Sequence, residues 1–424
     1  MDSLALVTTI IFLLTYALIV AERIPRTLLA LVAAAVVLML RVLSQEEAVG
    51  KIDFNTIGLL VGMMIIVNIT KRTGLFEYLA MHAAKLSRGE PMRIMAALSL
   101  ITAVISALLD NVTTVLLVAP VTFSITAALK LNPVPFLIAQ IISSNIGGTA
   151  TLIGDPPNIM IGSAVGLSFM DFVNNEAAIV AFIEVVTMGL IYLIYRKQMV
   201  VPEHLKLKIL KLHDRDVIKD RKLLAKSLIV LGLTITGFIL HEAIHFQPAT
   251  IALTGAAFLL LISKVEHEEI LHEIEWSTLF FFMGLFILVG ALEKVGVIRM
   301  VAEGALKMTG GNLLLSGMLI LWLSAIASAF IDNIPFVATM IPLIKAMGDI
   351  GGIDVGPLWW ALSLGACLGG NGTLIGASAN VVVAGISGRH GYPITFRDYL
   401  KIGFPLMLVS IVISTVYMYF RYFQ

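Results

Sequence analysis

Two short polar runs carry most of the chemistry in this 424-residue chain. The first is Ser106-Ala-Leu-Leu-Asp110-Asn111-Val-Thr113-Thr114, set between two apolar runs. An Asp and an Asn at membrane depth are costly unless they face protein or water. A hairpin tip there offers a helix N-terminus to polar oxygens and free carbonyls to cations. Asp110 is also a suitable cap for a helix that begins at Asn111. The second run is Ser143-Ser144-Asn145-Ile-Gly147-Gly148-Thr149-Ala-Thr151-Leu-Ile-Gly154-Asp155-Pro156-Pro157-Asn158. No continuous helix accommodates Gly-Gly and then Gly-Asp-Pro-Pro within so few residues. It reads as one crossing, unwound near its middle. There Asn145, Gly147, Gly148, Thr149, Thr151 and Asn158 could hold an ion or a polyol.

Both runs return 222 residues later. Asp110-Asn111 maps onto Asp332-Asn333, and Gly147-Gly148 onto Gly369-Gly370. Thr151-Leu-Ile-Gly154 maps onto Thr373-Leu-Ile-Gly376, and Asn158 onto Asn380. Thr56, Gly62, Val67 and Gly74 recur as Thr278, Gly284, Val289 and Gly296. A single ungapped offset of this length marks a duplicated unit. The second half adds Asp332, Asn333, Gly370, Asn371, Thr373 and Asn380 to the candidate ligands, beside Asp110, Asn111 and Thr113 of the first. Asp155 aligns with Ala377, and Glu184 has no acidic counterpart among residues 406–411. Acids present in one half only are candidates for proton or sodium coupling, together with Asp110 and Asp332. Glu184 reads equally well as a residue near a helix end, and Asp155 as a turn residue before Pro156. Cys367 reads as packing, and His241 and His245 as loop residues with no third ligand beside them. No metal site and no cofactor is expected.

The elements that must position these residues follow from composition. The chain is 58% hydrophobic and 13% charged, with a net charge of +1 and one cysteine. Soluble domains carry roughly 25% charged residues, so a water-soluble enzyme, a nucleic-acid binder and a disordered chain are excluded. Apolar runs at 4–20, 27–40, 54–69, 94–109, 112–128, 134–161 and 178–195 are followed by seven more between 227 and 420. The first run reads as a retained span. Between the halves, residues 196–226 hold ten Lys/Arg against four Asp/Glu. The positive-inside rule places that linker in the cytoplasm, with no role beyond topology and joining the halves. Lys294, Arg299 and Lys307 fit the rule less cleanly. Each unit has an odd number of crossings, whether the pair around Asp-Asn is re-entrant or spans fully. The repeats are therefore inverted, as in secondary transporters that bind near the midplane.

At these motifs the sequence resembles the ion transporter superfamily, most closely its ArsB/NhaD permease branch, and the resemblance spans nearly the whole chain. It implies arsenite or antimonite efflux, sodium/proton antiport or, more distantly, dicarboxylate transport. It also implies an elevator movement, in which hairpin and broken helix slide against a scaffold that often forms a dimer interface. The distant dicarboxylate carriers place Ser-Asn-Thr at both tips. Here the tips read Asp110-Asn111-Val112 and Asp332-Asn333-Ile334, and the added carboxylates disfavour an anionic cargo.

The expectation is an all-α polytopic protein of two inverted repeats, 1–195 and 227–424. Each has about five transmembrane helices, a re-entrant hairpin (94–128, 313–347) and a broken helix (134–161, 358–386). The expected activity is proton-coupled efflux of neutral trihydroxy arsenite or antimonite from a bacterial or archaeal cytoplasmic membrane. A sodium/proton antiporter is the alternative. The partners this allows are the lipid bilayer, a second copy of the chain and a soluble arsenite ATPase, with no nucleic acid. An intramembrane enzyme would need a nucleophile–base pair or metal triad, and neither is visible.

Overall fold

The computed structural model describes residues 3–21, 23–210 and 217–424. The first repeat contains α1 (Ser3–Val20), α2 (Arg26–Met39), α3 (Gln45–Lys51), α4 (Phe54–Lys71), α5 (Leu75–Leu86) and α6 (Pro91–Ser106). It continues with α7 (Asn111–Leu129), α8 (Val134–Thr149), α9 (Pro156–Val165) and α10 (Phe169–Phe172). A single π-helical turn, Val173–Ala177, then leads into α11 (Ala178–Tyr195). After α12 (Glu203–Leu210) the second repeat opens with α13 (Arg221–Ile244), α14 (Pro248–Ser263), α15 (His267–His272), α16 (Trp276–Lys294) and α17 (Val297–Thr309). It ends with α18 (Leu313–Phe330), α19 (Asn333–Gly351), α20 (Gly356–Gly369), α21 (Ser378–Arg389) and α22 (Phe396–Tyr422). The helices α2 to α9 begin 222 residues before α14 to α21, one for one. The duplication read in the motifs therefore extends to helix boundaries.

Local chemistry sets those boundaries. Asp53, Asp110, Asp220, Asn312, Asp332 and Thr395 each cap the following helix with a side-chain oxygen, satisfying amides that have no intrahelical partner. Pro156 opens α9, where a missing N–H costs nothing.

The repeats exchange elements. Helix α14 packs on α4, and its counterpart α2 packs on α16. Both contacts depend on glycine. A Cβ on Gly62 would lie 2.6 Å from the Ala252 backbone, and one on Gly284 would lie 2.7 Å from that of Ala30. Small residues of this kind let membrane helices approach closely. Ion pairs repeat the exchange: Arg72 bonds Glu269 at 2.6 Å, and Lys294 bonds Glu47 at 2.5 Å. Lys294, an awkward charge for the topology rule, is thus neutralised by its partner.

The two broken spans show the opposite orientation of the repeats. Contacts run from Ile142 and Asn145 with Asn371 and Asn380 to Asn158 with Cys367 and Ser363. Rising numbers on one span meet falling numbers on the other, so the spans are antiparallel. The bond from Asn145 to Asn380 and the bond from Cys367 to Asn158 are the same contact made twice, as a two-fold axis requires.

Nine of the described helices are long and apolar enough to cross a membrane. Leu13, Leu14, Ile229, Leu233 and Val416 are among their exposed apolar residues, as lipid contact requires. With 14 and 16 residues, α2 and α14 fall short of a span.

The linker departs from the expectation of a plain connector. Within it, α12 buries Leu205 and Ile209 and packs on α5 and α7. Lys206 reaches Glu90 at 2.7 Å. Further on, the Lys219 N–H donates to the Thr73 carbonyl at 3.0 Å. The linker is strapped to the first hairpin because α12 has its own apolar face to bury. Its residues 211–216 lie outside the described residues.

Candidate functional site

Each broken span is held open by one asparagine. The Asn158 amide donates to the carbonyls of Thr149 and Thr151 at 3.1 and 3.0 Å. The Asn380 amide does the same for Gly370 and Thr373 at 2.7 and 2.9 Å. Unwinding frees carbonyls that water cannot reach, and a buried primary amide has two donors to satisfy two of them. Threonine then ties each break to the hairpin before it: Thr151 donates to the Ala107 carbonyl at 2.5 Å, and Thr373 to that of Ala329. Ser106 and Ser328 make equivalent bonds to the carbonyls of Ser144 and Ala366 at 2.7 and 2.6 Å. Gly147 and Gly369 let these spans press against the backbones of Ala103 and Ala325.

The breaks meet at a cluster of buried amides. The Asn145 amide donates to the side-chain oxygens of Asn371 and Asn380 at 2.9 and 3.0 Å, while its own oxygen accepts from Asn111 at 3.2 Å.

The hairpin tips and the first break converge on a cavity of about 360 Å³. Asp110, Asn111, Asp155 and Asn333 line it, as do Arg26, Glu275, Thr278 and Ser378. Asp155 is fully buried, and both its oxygens lie 3.3 Å from the Asn333 amide. Asp110 accepts the Thr113 N–H at 2.8 Å and so does act as a helix cap. Asp332 accepts the Ile334 N–H at 3.1 Å and the Ser378 hydroxyl at 2.9 Å. It also forms an ion pair with Arg26, whose guanidinium lies 5.0 Å from the centre of the Phe281 ring.

The two tips are therefore not equivalent. Arg26 neutralises Asp332, whereas its counterpart in the second repeat is Pro248. Asp110, Asp155 and Glu275 share the cavity with that one committed cation. Three carboxylates cannot all be ionised in a low-dielectric space without compensation.

Of the residues singled out in the sequence, Asp110, Asn111, Asp155 and Asn333 come together in this cavity, and Asp332 lines the adjoining vestibule of about 540 Å³. Asn145, Thr149, Thr151, Asn158, Asn371, Thr373 and Asn380 lie behind the cavity as wiring of the breaks, with Gly147, Gly148 and Gly370 at the tight packing. Thr113 lies in the first turn of α7, its N–H on the Asp110 carboxylate. Glu184 accepts the Ser143 hydroxyl at 2.7 Å, with its second oxygen buried and unpartnered. His241 and His245 line a separate cavity of about 320 Å³.

Sequence reasoning misses Arg26, Glu275, Thr278, Ser378 and Glu176. In the sequence the basic pair at 23–26 is a topology signal, yet the test that singles out Asp155 also applies to Arg26, a charge facing Pro248 in the other half. Residues 171–176 hold no Lys or Arg and so fit the outside by the positive-inside rule, but Glu176 is fully buried.

Comparisons with known proteins show the family and the fold. A family profile described as citrate transporter (CitMHS) matches residues 16–365. A 46 kDa membrane protein of Mycobacterium leprae is 44% identical over 99% of both chains. An uncharacterized transporter of Mycobacterium tuberculosis is also 44% identical over 99% of both. The P protein of Homo sapiens is 38% identical over 97% of this chain and 59% of its own length. The solved YdaH transporter of Alcanivorax borkumensis shares the fold over 99% of both chains, with a TM-score of 0.59 at 14% identity. The chain is a multi-pass membrane transporter of the citrate transporter (CitMHS) family, within the ion transporter superfamily.

Proposed function

We propose that this transporter exchanges protons for a small neutral or cationic solute, arsenite and antimonite in their trihydroxy form being the leading cargo. The observation that carries this reading is the shared cavity, where Asp110, Asp155 and Glu275 face one arginine that is already paired. A citrate-like trianion entering it would meet three carboxylates and no free cation. A trihydroxy acid meets donors and acceptors of both kinds, and each hydrogen bond to a neutral solute contributes modestly, about 1 kcal/mol. The affinity is therefore low and release is easy. No thiol lines the cavity, so arsenic is held through oxygen. On this reading the breaks and tips form the moving part, and α2, α4, α14 and α16, joined by close helix packing, form the scaffold.

Sodium is the second reading, favoured by the hard oxygen donors of the same carboxylates. Everted vesicles energised with a proton gradient test both. Arsenite uptake that collapses the gradient is expected. Sodium-driven proton release without arsenite uptake replaces the first reading with the second. Citrate uptake alone refutes both.

A further inference from the structure

Besides Glu184, another buried acid lies outside the cavity. Glu176 sits in the π-helical turn 173–177, a kind of irregularity that concentrates at functional sites. The second repeat has no such turn: α22 is regular there, and the counterpart Asp398 is exposed. Glu176 has no exposure at all, and one of its carboxylate oxygens has no partner among the described residues. The other accepts the Ser363 hydroxyl at 2.9 Å. The ionisable groups facing it are Cys367 of α20 and Tyr417 and Tyr422 of α22, with Arg421 beside the tyrosines. Asp171 of α10 is engaged as the cap partner of Ser168. Both tyrosines donate to Asn175, which fixes the turn. None of the described ion pairs includes Glu176. A buried carboxylate without a counter-charge is neutralised by a proton or an ion.

Ser363 is the point of connection. Its single hydroxyl proton faces two acceptors, Glu176 at 2.9 Å and the Asn158 side-chain oxygen at 2.7 Å. It can serve only one fully. When Glu176 is ionised, the charge-assisted bond holds the hydroxyl. When Glu176 is protonated, the hydroxyl turns to Asn158, the residue that clamps the first break. At the second break the same oxygen, on Asn380, accepts from the fixed amide of Asn145. One clamp oxygen is thus set by a fixed amide; on the other the counterpart of that amide is the weakly donating Cys367 thiol at 3.4 Å, so its stronger donor is the Ser363 hydroxyl, which can turn away.

We propose that Glu176 is a proton-binding site of this transporter, and that Ser363 conveys its charge state to the Asn158 clamp. The proton goes onto the free carboxylate oxygen and leaves from it; no other bond forms or breaks. This deepens the proton-coupled reading above and rests on it, but the first test needs no cargo. Protein in liposomes, with its glutamates carbon-13 labelled, is taken through a pH step and followed by infrared difference spectroscopy. A protonated-carboxyl band that shifts with the label, disappears in Glu176→Gln and persists in Glu184→Gln is expected. Ser363→Ala should keep the band but move its frequency, which gives a reading if the glutamine variant does not fold. A band unchanged in both variants overturns the proposal. In arsenite-loaded liposomes, Glu176→Gln should flatten the pH profile of flux at least tenfold; an unchanged profile also overturns it. If no arsenite moves in the wild type but the band behaves as expected, the cargo assignment fails and the proton site stands.

Discussion

Arg26 and Asp332 form the one described ion pair between a scaffold helix and a hairpin tip, and replacing Arg26 by Met tests what that pair contributes. Side-chain exposure is 29% for Arg26 and 10% for Asp332, so the pair is mostly shielded. Removing one partner of a buried pair costs about 3–5 kcal/mol, chiefly because a charge is left behind. Here Asp332 keeps the Ile334 N–H and the Ser378 hydroxyl, and Arg26 is partly wet, which brings the figure to about 2–3 kcal/mol. Unfolding entropy of roughly 2 cal/mol/K per residue converts this to a drop of about 2–3 °C for a chain of this size. The single cysteine, Cys367, is fully buried, so a thiol-reactive dye reports unfolding without engineering. Asp332→Asn removes the stranded charge, and the double variant should melt close to it. Measured as a cycle, the coupling should be about 2 kcal/mol. Strictly additive single variants would show that the pair contributes nothing and that Asp332 is held by its helix amides alone.

Other consequences are narrower. Asn158→Asp cannot donate to the Thr149 and Thr151 carbonyls; with two buried acceptors orphaned it should lose about 2–4 kcal/mol, as should Asn380→Asp, both read by the same dye. Gly62→Leu must displace the Ala252 backbone and should cost about 1–3 kcal/mol or the folded yield, whereas Gly189→Ala, which meets nothing within 4 Å, should be neutral or slightly stabilising in the same melt. Lys294 and the Ser44 cap hold Glu47 at about 2, well below its usual 4.5. A depressed carboxylate stabilises above its unfolded pKa, and the contribution is lost as pH falls from about 4.5 towards 2. Glu47→Gln should therefore lower the melting temperature at pH 7 and flatten its fall between about pH 5 and pH 3.

The duplication is legible because a repeated chain tests itself: helix starts, capping acids and clamping asparagines all recur at one spacing. The first break is legible because Gly-Gly and Pro-Pro leave no other conformation, and the second because it repeats the glycines and the asparagine of the first. What escapes is the role of each polar residue within those motifs. Asn145, Asn158, Asn371 and Asn380 read as ligands, since buried amides suit polar cargo, yet their hydrogen bonds go to freed carbonyls and to one another. Local sequence does not say whether an amide's partner is a solute or a neighbouring carbonyl. Arg26 and Glu275 escape for the opposite reason. Both lie at helix starts next to apolar runs, where charges usually mark the membrane surface, and only the exchange of α2 and α14 between repeats brings α2 to the second tip. Glu176 depends on a π-helical turn, which hydrophobic spacing does not reveal.

The charge of the cavity also separates the two cargo readings, whatever the coupling stoichiometry. Asp155→Asn preserves shape and keeps a group opposite the Asn333 amide, but removes one negative charge. Two unit charges about 5 Å apart, at an effective dielectric constant near 20, interact by about 3 kcal/mol. If the cargo is sodium, Asp155→Asn should weaken its binding by about two powers of ten. If the cargo is a neutral trihydroxy acid, the variant removes or rearranges one hydrogen bond, about 0.5–1.5 kcal/mol, and binding should change by tenfold at most. Proton coupling should fall in both cases. Half-saturating concentrations for arsenite and sodium, measured on the variant and the wild type in the same liposomes, decide between them. A hundredfold change for arsenite would contradict the neutral-cargo reading directly, because no single hydrogen bond in this cavity carries that much energy.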